Sequence, residues 1–274
     1  MLRRVDDLRT YSVGAVDADI GSIEDVYFDD QSWTVRYFVV DTGRWLPGRK
    51  VLISPHSVRG LDPAGLRVVT DLTVQKVKDS PSIDTARPVS RQYEQEYSTY
   101  YGYPHYWLGP HRWGAAVYPG AVLGGPAYPP TTPDDYPPAT EEMIARERES
   151  ADPHLRSAAA VSGYGIRATD GELGHVQDFL ADEQSWAIRY LIVDPRRWWP
   201  GPHVVVATDW VTRVDWHDRV VEVDVTRDEV RNAPPYDPTG ALDRSFETRL
   251  YGHYARPGYW AREPEAWRRW PPAA

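Results

Sequence analysis

The chain has no cysteine, two methionines and four phenylalanines among its 274 residues. Without cysteine there is no disulfide, no thiolate metal ligand and no thiol nucleophile. No stretch approaches the ~18 consecutive apolar residues of a membrane helix, so no membrane span is expected. The opening MLRRVDDLRTYSVGAVDADIG lacks the apolar centre of a signal peptide, so a cytoplasmic protein is expected. Runs of Lys and Arg are also missing; the densest basic spots are pairs such as Arg196–Arg197 and Arg268–Arg269. Acidic residues outnumber basic ones, 40 to 31, for a formal net charge of −9. That balance offers no basic stripe for phosphates and argues against a nucleic-acid partner.

The signatures of several chemistries are absent as well. The sequence holds no P-loop, no GxGxxG after a strand, no HExxH and no GxSxG. The eight histidines, at 56, 105, 111, 154, 175, 203, 217 and 253, are scattered without metal-ligand spacing. Asp17 with Asp19, and Asp170 with Glu172, begin like calcium loops but do not continue with the ligands such a loop needs. No metal, no cofactor and no catalytic residue is therefore expected.

What the chain does have is aromatic side chains, proline and an internal repeat. It carries 12 Trp, 18 Tyr and 25 Pro. A shift of 153 positions sets Tyr11 on Tyr164, Gly21 on Gly174, Asp25 on Asp178 and Trp33 on Trp186. The same shift sets Arg36 on Arg189, Asp41 on Asp194, Trp45 on Trp198 and Trp107 on Trp260. Roughly a third of about 97 paired positions are identical, with no gap, which reads as a duplication.

Each copy reads mainly as strands. In GSIEDVYFDDQSWTVRYFVVD, β-branched and aromatic residues alternate around an acidic turn at Asp29 to Ser32. Trp33 to Val40 is apolar on both sides, so both faces must be covered; a small closed barrel fits. Centring the turn on Asp30 and Gln31 pairs Asp25 with Arg36, and Asp178 with Arg189 in the second copy. An opposite-charge pair across two strands is a structural role for these repeated residues. It also puts Val26, Val35 and Tyr37 in the barrel interior. Trp33 and Trp186 are expected to be equivalently buried, and Trp45 and Trp198 recur as a further structural pair.

A short helix closes each copy. Thr226 to Glu229 forms a capping box, degraded in the first copy to Thr73 to Lys76. Aromatic tails follow: SRQYEQEYSTYYGYPHYW from residue 90 and DRSFETRLYGHYARPGYW from residue 243. Ser90 and Asp243 are N-caps, and the aromatic spacing predicts amphipathic helices over 90–101 and 243–254. Tyr97, Tyr101 and Trp107, with Tyr254, Tyr259 and Trp260, are the candidate interaction surface. Residues 109–138, rich in Pro and Gly, read as an extended linker, and Thr140 to Glu149 as a helical piece. A linker of this length lets the tail of one copy cover the other.

These strings resemble the PRC-barrel family. The resemblance is carried by Gly21, Ile23, Asp25, Val39, Val40, Asp41, Val51 and Ile53, and by Gly174, Val176, Asp178, Ile192, Val193, Asp194, Val204 and Val206. The longer runs GYGIRATDGELGHVQDF and SWAIRYLIVDPRRWWPG look like bacterial tandem PRC-barrel proteins. The family includes the cytoplasmic barrel of the photosynthetic reaction-centre H subunit and a barrel of a ribosome-maturation factor. The H subunit's membrane helix has no counterpart here. The resemblance implies two small β-barrels: repeat 1 over 1–89, tail and linker over 90–163, repeat 2 over 164–242, and a second tail over 243–274. It implies a soluble, non-catalytic module for protein interaction or assembly, with an unnamed protein partner and a surface that also fits a homodimer. The alternative is a small-molecule-binding protein or enzyme that uses a cleft between the barrels.

Overall fold

The computed structural model describes residues 1–43, 45–83, 89–109, 111–114, 116–119, 154–195, 201–238 and 242–261. Most of the expected linker, the helical piece at 140–149 and Trp198 lie outside the described residues.

The chain is mainly β. In the first half β1 (Leu2–Arg4) and α1 (Val5–Leu8) precede β2 (Ser12–Gly14), β3 (Asp19–Asp29), β4 (Thr34–Asp41) and β5 (Lys50–Ile53). Strands β6 (Val58–Asp62) and β7 (Arg67–Thr70) and helices α2 (Val74–Lys78) and α3 (Arg91–Tyr101) follow. The second half opens with β8 (Leu155–Ser157) and α4 (Ala158–Val161), then β9 (Gly165–Ala168), β10 (Gly171–Asp182) and β11 (Ile188–Asp194). It ends with β12 (Val204–Ala207), β13 (Val211–Asp215), β14 (Val220–Val223), α5 (Arg227–Arg231) and α6 (Arg244–His253).

Two seven-stranded sheets result. One runs β5-β4-β3-β2-β7-β6 with β8 added on β3; the other runs β12-β11-β10-β9-β14-β13 with β1 added on β10. The strand order corresponds element for element. Neither sheet closes among the described residues, so the expected closed barrels become open paths. In the first half the β5 edge is occupied by a side chain. Tyr97 of α3 donates its hydroxyl to the Leu52 carbonyl and accepts the Ser54 N–H, each at 3.1 Å. A side chain thereby takes edge groups that a closing strand would need.

The turn between β3 and β4 sets a different register from the one expected. The Asp29 carboxylate accepts the N–H groups of Gln31 and Ser32, at 3.0 and 2.7 Å, and Trp33 then adopts a positive φ of 49°. Asp182 and Trp186, with φ 57°, repeat this geometry. This longer turn and a bulge at Arg36 in β4 place Asp25 opposite Val39 and Val26 opposite Phe38; a second bulge, at Glu24 in β3, follows. The expected Asp25–Arg36 cross-strand pair is therefore not made. Val26 shares a face with Phe38, and Tyr37 lies on the other face, under the tail helix.

Covering of both faces of β4 is borne out: every residue from Thr34 to Val40 is buried. On one face Tyr37, Val39 and Leu52 pack with Val89, Tyr97 and Leu155. On the other, Phe38 meets Trp186 edge-on at 5.0 Å. Glycine is required where β3 passes β4 most closely. A Cβ on Gly21 would stand 1.9 Å from the Asp41 carbonyl oxygen, and one on Gly174 would stand 2.2 Å from that of Asp194.

Contacts divide the chain into a larger unit, Arg3–Ser162 with Asp178–Ile188, and a smaller one, Met1–Leu2 with Gly163–Gln177 and Arg189–Ala274. The hairpin tip 178–188 belongs to the larger unit because its bonds go there. Val35 N–H donates to the Trp186 carbonyl at 2.8 Å, and Ile188 N–H to the Trp33 carbonyl at 2.7 Å. Trp113 Nε1 donates to the Ser185 carbonyl at 2.9 Å. Arms β1–α1, within the span read as repeat 1, and β8–α4, within the span read as tail and linker, are from Arg3 on structural parts of this unit.

Trp33 and Trp186 are 9% and 3% exposed. Trp186→Ala is expected to cost about 3–5 kcal/mol, the usual range for emptying a buried Trp site. A denaturant titration checks this, and a loss under ~1 kcal/mol would place the ring outside the core.

Candidate functional site

The tail helices start as the sequence predicts. Ser90 caps α3 by accepting the Tyr93 N–H at 3.2 Å, and Asp243 caps α6 by accepting that of Phe246 at 2.8 Å. Helix α3 packs on Tyr37 and Val39 of β4, Leu52 of β5 and Leu155 of β8, and α6 meets Tyr190 of β11. The helix turn after the cap carries a carboxylate inward. Glu94 is 2% exposed and Glu247 is 3% exposed.

Glu94 sits among donors. Its Oε1 accepts the hydroxyls of Tyr106 at 2.7 Å and Tyr37 at 3.2 Å. Arg91, one turn back on α3, donates to Oε2 at 2.8 Å and to the Tyr106 hydroxyl at 3.0 Å. The Arg36 guanidinium covers the Tyr106 ring at 3.6 Å. The second half repeats the group. Tyr190 donates to Glu247 at 2.8 Å, Arg244 stands 3.1 Å from it, and Arg189 covers the Tyr259 ring at 3.8 Å. Two phenols, two guanidiniums and one carboxylate thus fasten each tail to its sheet. Sequence reasoning passed over Glu94 and Glu247, although Arg91, Glu94, Tyr106 and Trp107 are identical to their counterparts 153 positions on.

Burial is the largest influence on Glu94 and raises its pKa to about 7; the neighbouring Arg91, the Tyr106 bond and Arg36 pull it down, and Asp29 adds to the rise. Burial also raises Glu247. The sign follows from linkage. Between the ordinary carboxyl range and about 7, folded Glu94 keeps a proton that the unfolded chain releases, so its contribution is full at low pH and is lost as pH rises.

The other repeated residues are consumed structurally. Asp25 accepts the Ser157 hydroxyl and the Ala159 N–H at 3.2 Å, which holds the β8–α4 arm. Asp178 accepts the Asp6 N–H at 3.1 Å and Arg4 Nε at 2.9 Å, which holds the β1–α1 arm. Salt links repeat too: Arg156 with Asp30 at 2.8 Å, and Arg3 Nε with Glu183 at 2.7 Å. Burial raises the Asp178 carboxyl to about 6. Arg36 turns away from Asp25, to Ser32 Oγ at 3.0 Å, the Arg112 carbonyl and Asp29 at 3.6 Å. Trp45 Nε1 donates to the Ile20 carbonyl at 2.6 Å.

Of the candidate interaction surface, Tyr97 is buried where α3 faces its sheet, and Tyr254 and Tyr259, just beyond α6, are buried against Trp210 and the Arg189 guanidinium. Tyr101, Trp107 and Trp260 are half-buried and keep an accessible edge. His56, expected as one of eight scattered histidines, is buried between Tyr103 and Trp113, and its Nδ1 lies 2.8 Å from the Pro119 carbonyl. Burial lowers its pKa to about 4, so it stays neutral and anchors that segment. Among the described residues no three His, Asp or Glu side chains converge as metal ligands. One concavity of about 160 Å³ lies by Gly165, Arg167, Glu172 and His175, and a wider one of about 340 Å³ by Asp71, Lys76, Tyr101 and Tyr103.

The family model for the PRC-barrel domain matches residues 2–73. Residues 2–73 are a PRC-barrel domain. The PRC-barrel match starts at the β1 arm and ends at Thr73, the N-cap of α2. The Glu94 fastener therefore lies just beyond the matched PRC-barrel stretch. A search of curated proteins finds no match to the chain.

Wild type compared with Glu94→Gln isolates this carboxyl, since His56, whose lowered pKa gives an opposite slope below pH 6.5, cancels in the difference. From pH 5 to 8 the wild type should lose about 2–3 kcal/mol relative to the variant. Thermal unfolding across that range checks it; a constant difference would show that Glu94 does not change its protonation on folding.

Proposed function

We propose that the chain is a duplicated, tandem PRC-barrel protein that acts as a non-catalytic interaction or assembly module. Residues 164–242 are the second repeat, and the whole resembles the H-subunit cytoplasmic barrel without its membrane helix, in a bacterial and cytoplasmic setting. The observation that carries the reading is how the repeated polar residues are used. Asp25 and Asp178 hold arms, and Glu94 and Glu247 hold tails, with their acceptor oxygens occupied by fixed donors. Catalytic carboxylates need distinct environments and access to a substrate. Here the chemistry is spent on presenting two similar surfaces, each with a half-buried tryptophan at its tail, Trp107 and Trp260. Arg91 and Arg244 lie over these rings at 4.4 and 4.2 Å, and such aromatic and arginine groups are frequent anchors of protein interfaces.

Crosslinking and purification of the full chain from its source cells tests this. A stoichiometric protein partner should be retained by wild type and lost from Trp107→Ala/Trp260→Ala. Undiminished retention by that double variant, or turnover of a small molecule by the purified chain, would contradict it.

A further inference from the structure

Among the places where the two halves diverge is the exit from the tail helix. The backbones there match. Tyr103 N–H returns to the Ser98 carbonyl at 2.9 Å, and Arg256 N–H returns to that of Tyr251 at 3.0 Å. The side chains do not. Arg256 folds back to donate to the Asp224 carbonyl and to its carboxylate at 3.2 Å, and its guanidinium lies 5.4 Å from the Trp210 ring centre. At the corresponding position in the first half, Tyr103 instead stacks on His56 at 4.9 Å. Asp71, the counterpart of Asp224, is left facing a concavity of about 340 Å³ lined by Leu72, Thr73, Lys76, Tyr101, Gly102 and Tyr103.

We infer that this groove of the first half binds the arginine side chain of a partner peptide. The second half shows the occupant: a guanidinium seated between an aspartate and an aromatic ring. In the first half the aspartate remains, and the aromatic wall is the parallel pair Tyr101 and Tyr103, 5.4 Å apart and 6° from coplanar. A planar guanidinium stacks on such rings and forks onto a carboxylate; an ammonium does the second only as a point charge. Asp71 now pairs with Arg59, and both side chains are about two-fifths exposed, 42% and 40%, so water screens that pair and an incoming cation can share the carboxylate. Lys76, where the second half has Glu229, opposes a cation. Its ammonium stands 3.1 Å from the Tyr100 carbonyl, 4.4 Å from the Tyr100 ring centre and 5.8 Å from the Tyr101 ring centre. Lys76 therefore competes with an incoming guanidinium at the Tyr101 wall, which makes the affinity weak. The net charge of −9 favours approach of a basic segment.

This inference deepens the interaction reading and rests on it, but the two fail separately. A peptide that binds while no cellular partner is found would sink the interaction reading alone.

The probe is the capped peptide acetyl-Ala-Arg-Pro-Gly-Tyr-amide, which copies residues 255–259, titrated into the full chain and followed by calorimetry and NMR. Saturable binding is expected, weakened about tenfold by Asp71→Asn, which removes a charge-assisted bond. Lys76→Glu should tighten it about tenfold by restoring the charge of the second half. Tyr103→Arg should abolish it, because the chain then fills its own groove. Melting curves confirm that each variant is folded, and exposed Asp71 leaves at least one informative variant. A peptide with citrulline in place of arginine should not bind. Absence of binding to wild type at about 5 mM peptide, a concentration that detects millimolar Kd, would overturn the inference. So would binding indifferent to both Asp71→Asn and Tyr103→Arg.

Discussion

Strand β4 has no face turned to water, and the rest of the first half answers that constraint. A strand is apolar on both sides only if something covers each side. One side is met by Phe28, Trp186 and their neighbours, where Phe28 stacks on Trp33 at 5.4 Å and touches Phe179 at 5.6 Å. The other is met by α3, whose Tyr97 packs edge-on against Tyr37 at 5.1 Å. Tyr37 on the strand and Tyr106 just after the helix bury their hydroxyls at this seam, and buried hydroxyls need partners. Glu94 supplies an acceptor, and Arg91 and Arg36 supply the compensating charge. The fastener is thus a consequence of covering an apolar strand with phenols.

The same logic explains why residues recur in both halves. Asp25 and Asp178 each satisfy backbone N–H groups at the start of a four-residue helix that follows a three-residue strand. Such short arms cannot hold their own geometry; an external carboxylate does it for them. Gly21 and Gly174 recur because a carbonyl oxygen stands where a Cβ would be. These positions are repeated because the fold needs them, which leaves the divergent positions as the places to look for recognition. Tyr103 against Arg256, and Lys76 against Glu229, are such positions.

Much of the fold is legible in the sequence where the signal is local. The caps Ser90 and Asp243 mark the tail helices, and the capping box at Thr226 to Glu229 forms as read, with Thr73 capping alone in the first half. The register is not legible, because it depends on an aspartate-capped turn that ends in a left-handed tryptophan, a conformation uncommon for so bulky a residue. That turn and the bulge at Arg36 together move Asp25 from Arg36 to Val39. The arms were missed because three-residue strands carry no periodicity. Glu94 was missed for a different reason: a charged residue on an amphipathic helix reads as solvent-facing, and only the three-dimensional closeness of Tyr37 and Tyr106 shows otherwise. Open rather than closed sheets could not be foreseen either, since pairing between the two edges of a sheet is a long-range contact that alternation within a strand does not record.

The central claim is that the tail helix and β4 are one cooperative structure, joined through Glu94 and the tyrosines. Hydrogen exchange of the full chain near pH 6, resolved by residue, tests it most directly. Amides of 92–101 and of 34–40 should be protected together and open with the same free energy. Fast exchange of the α3 amides, with β4 still fully protected, would show that the helix merely rests on the sheet and would contradict the account.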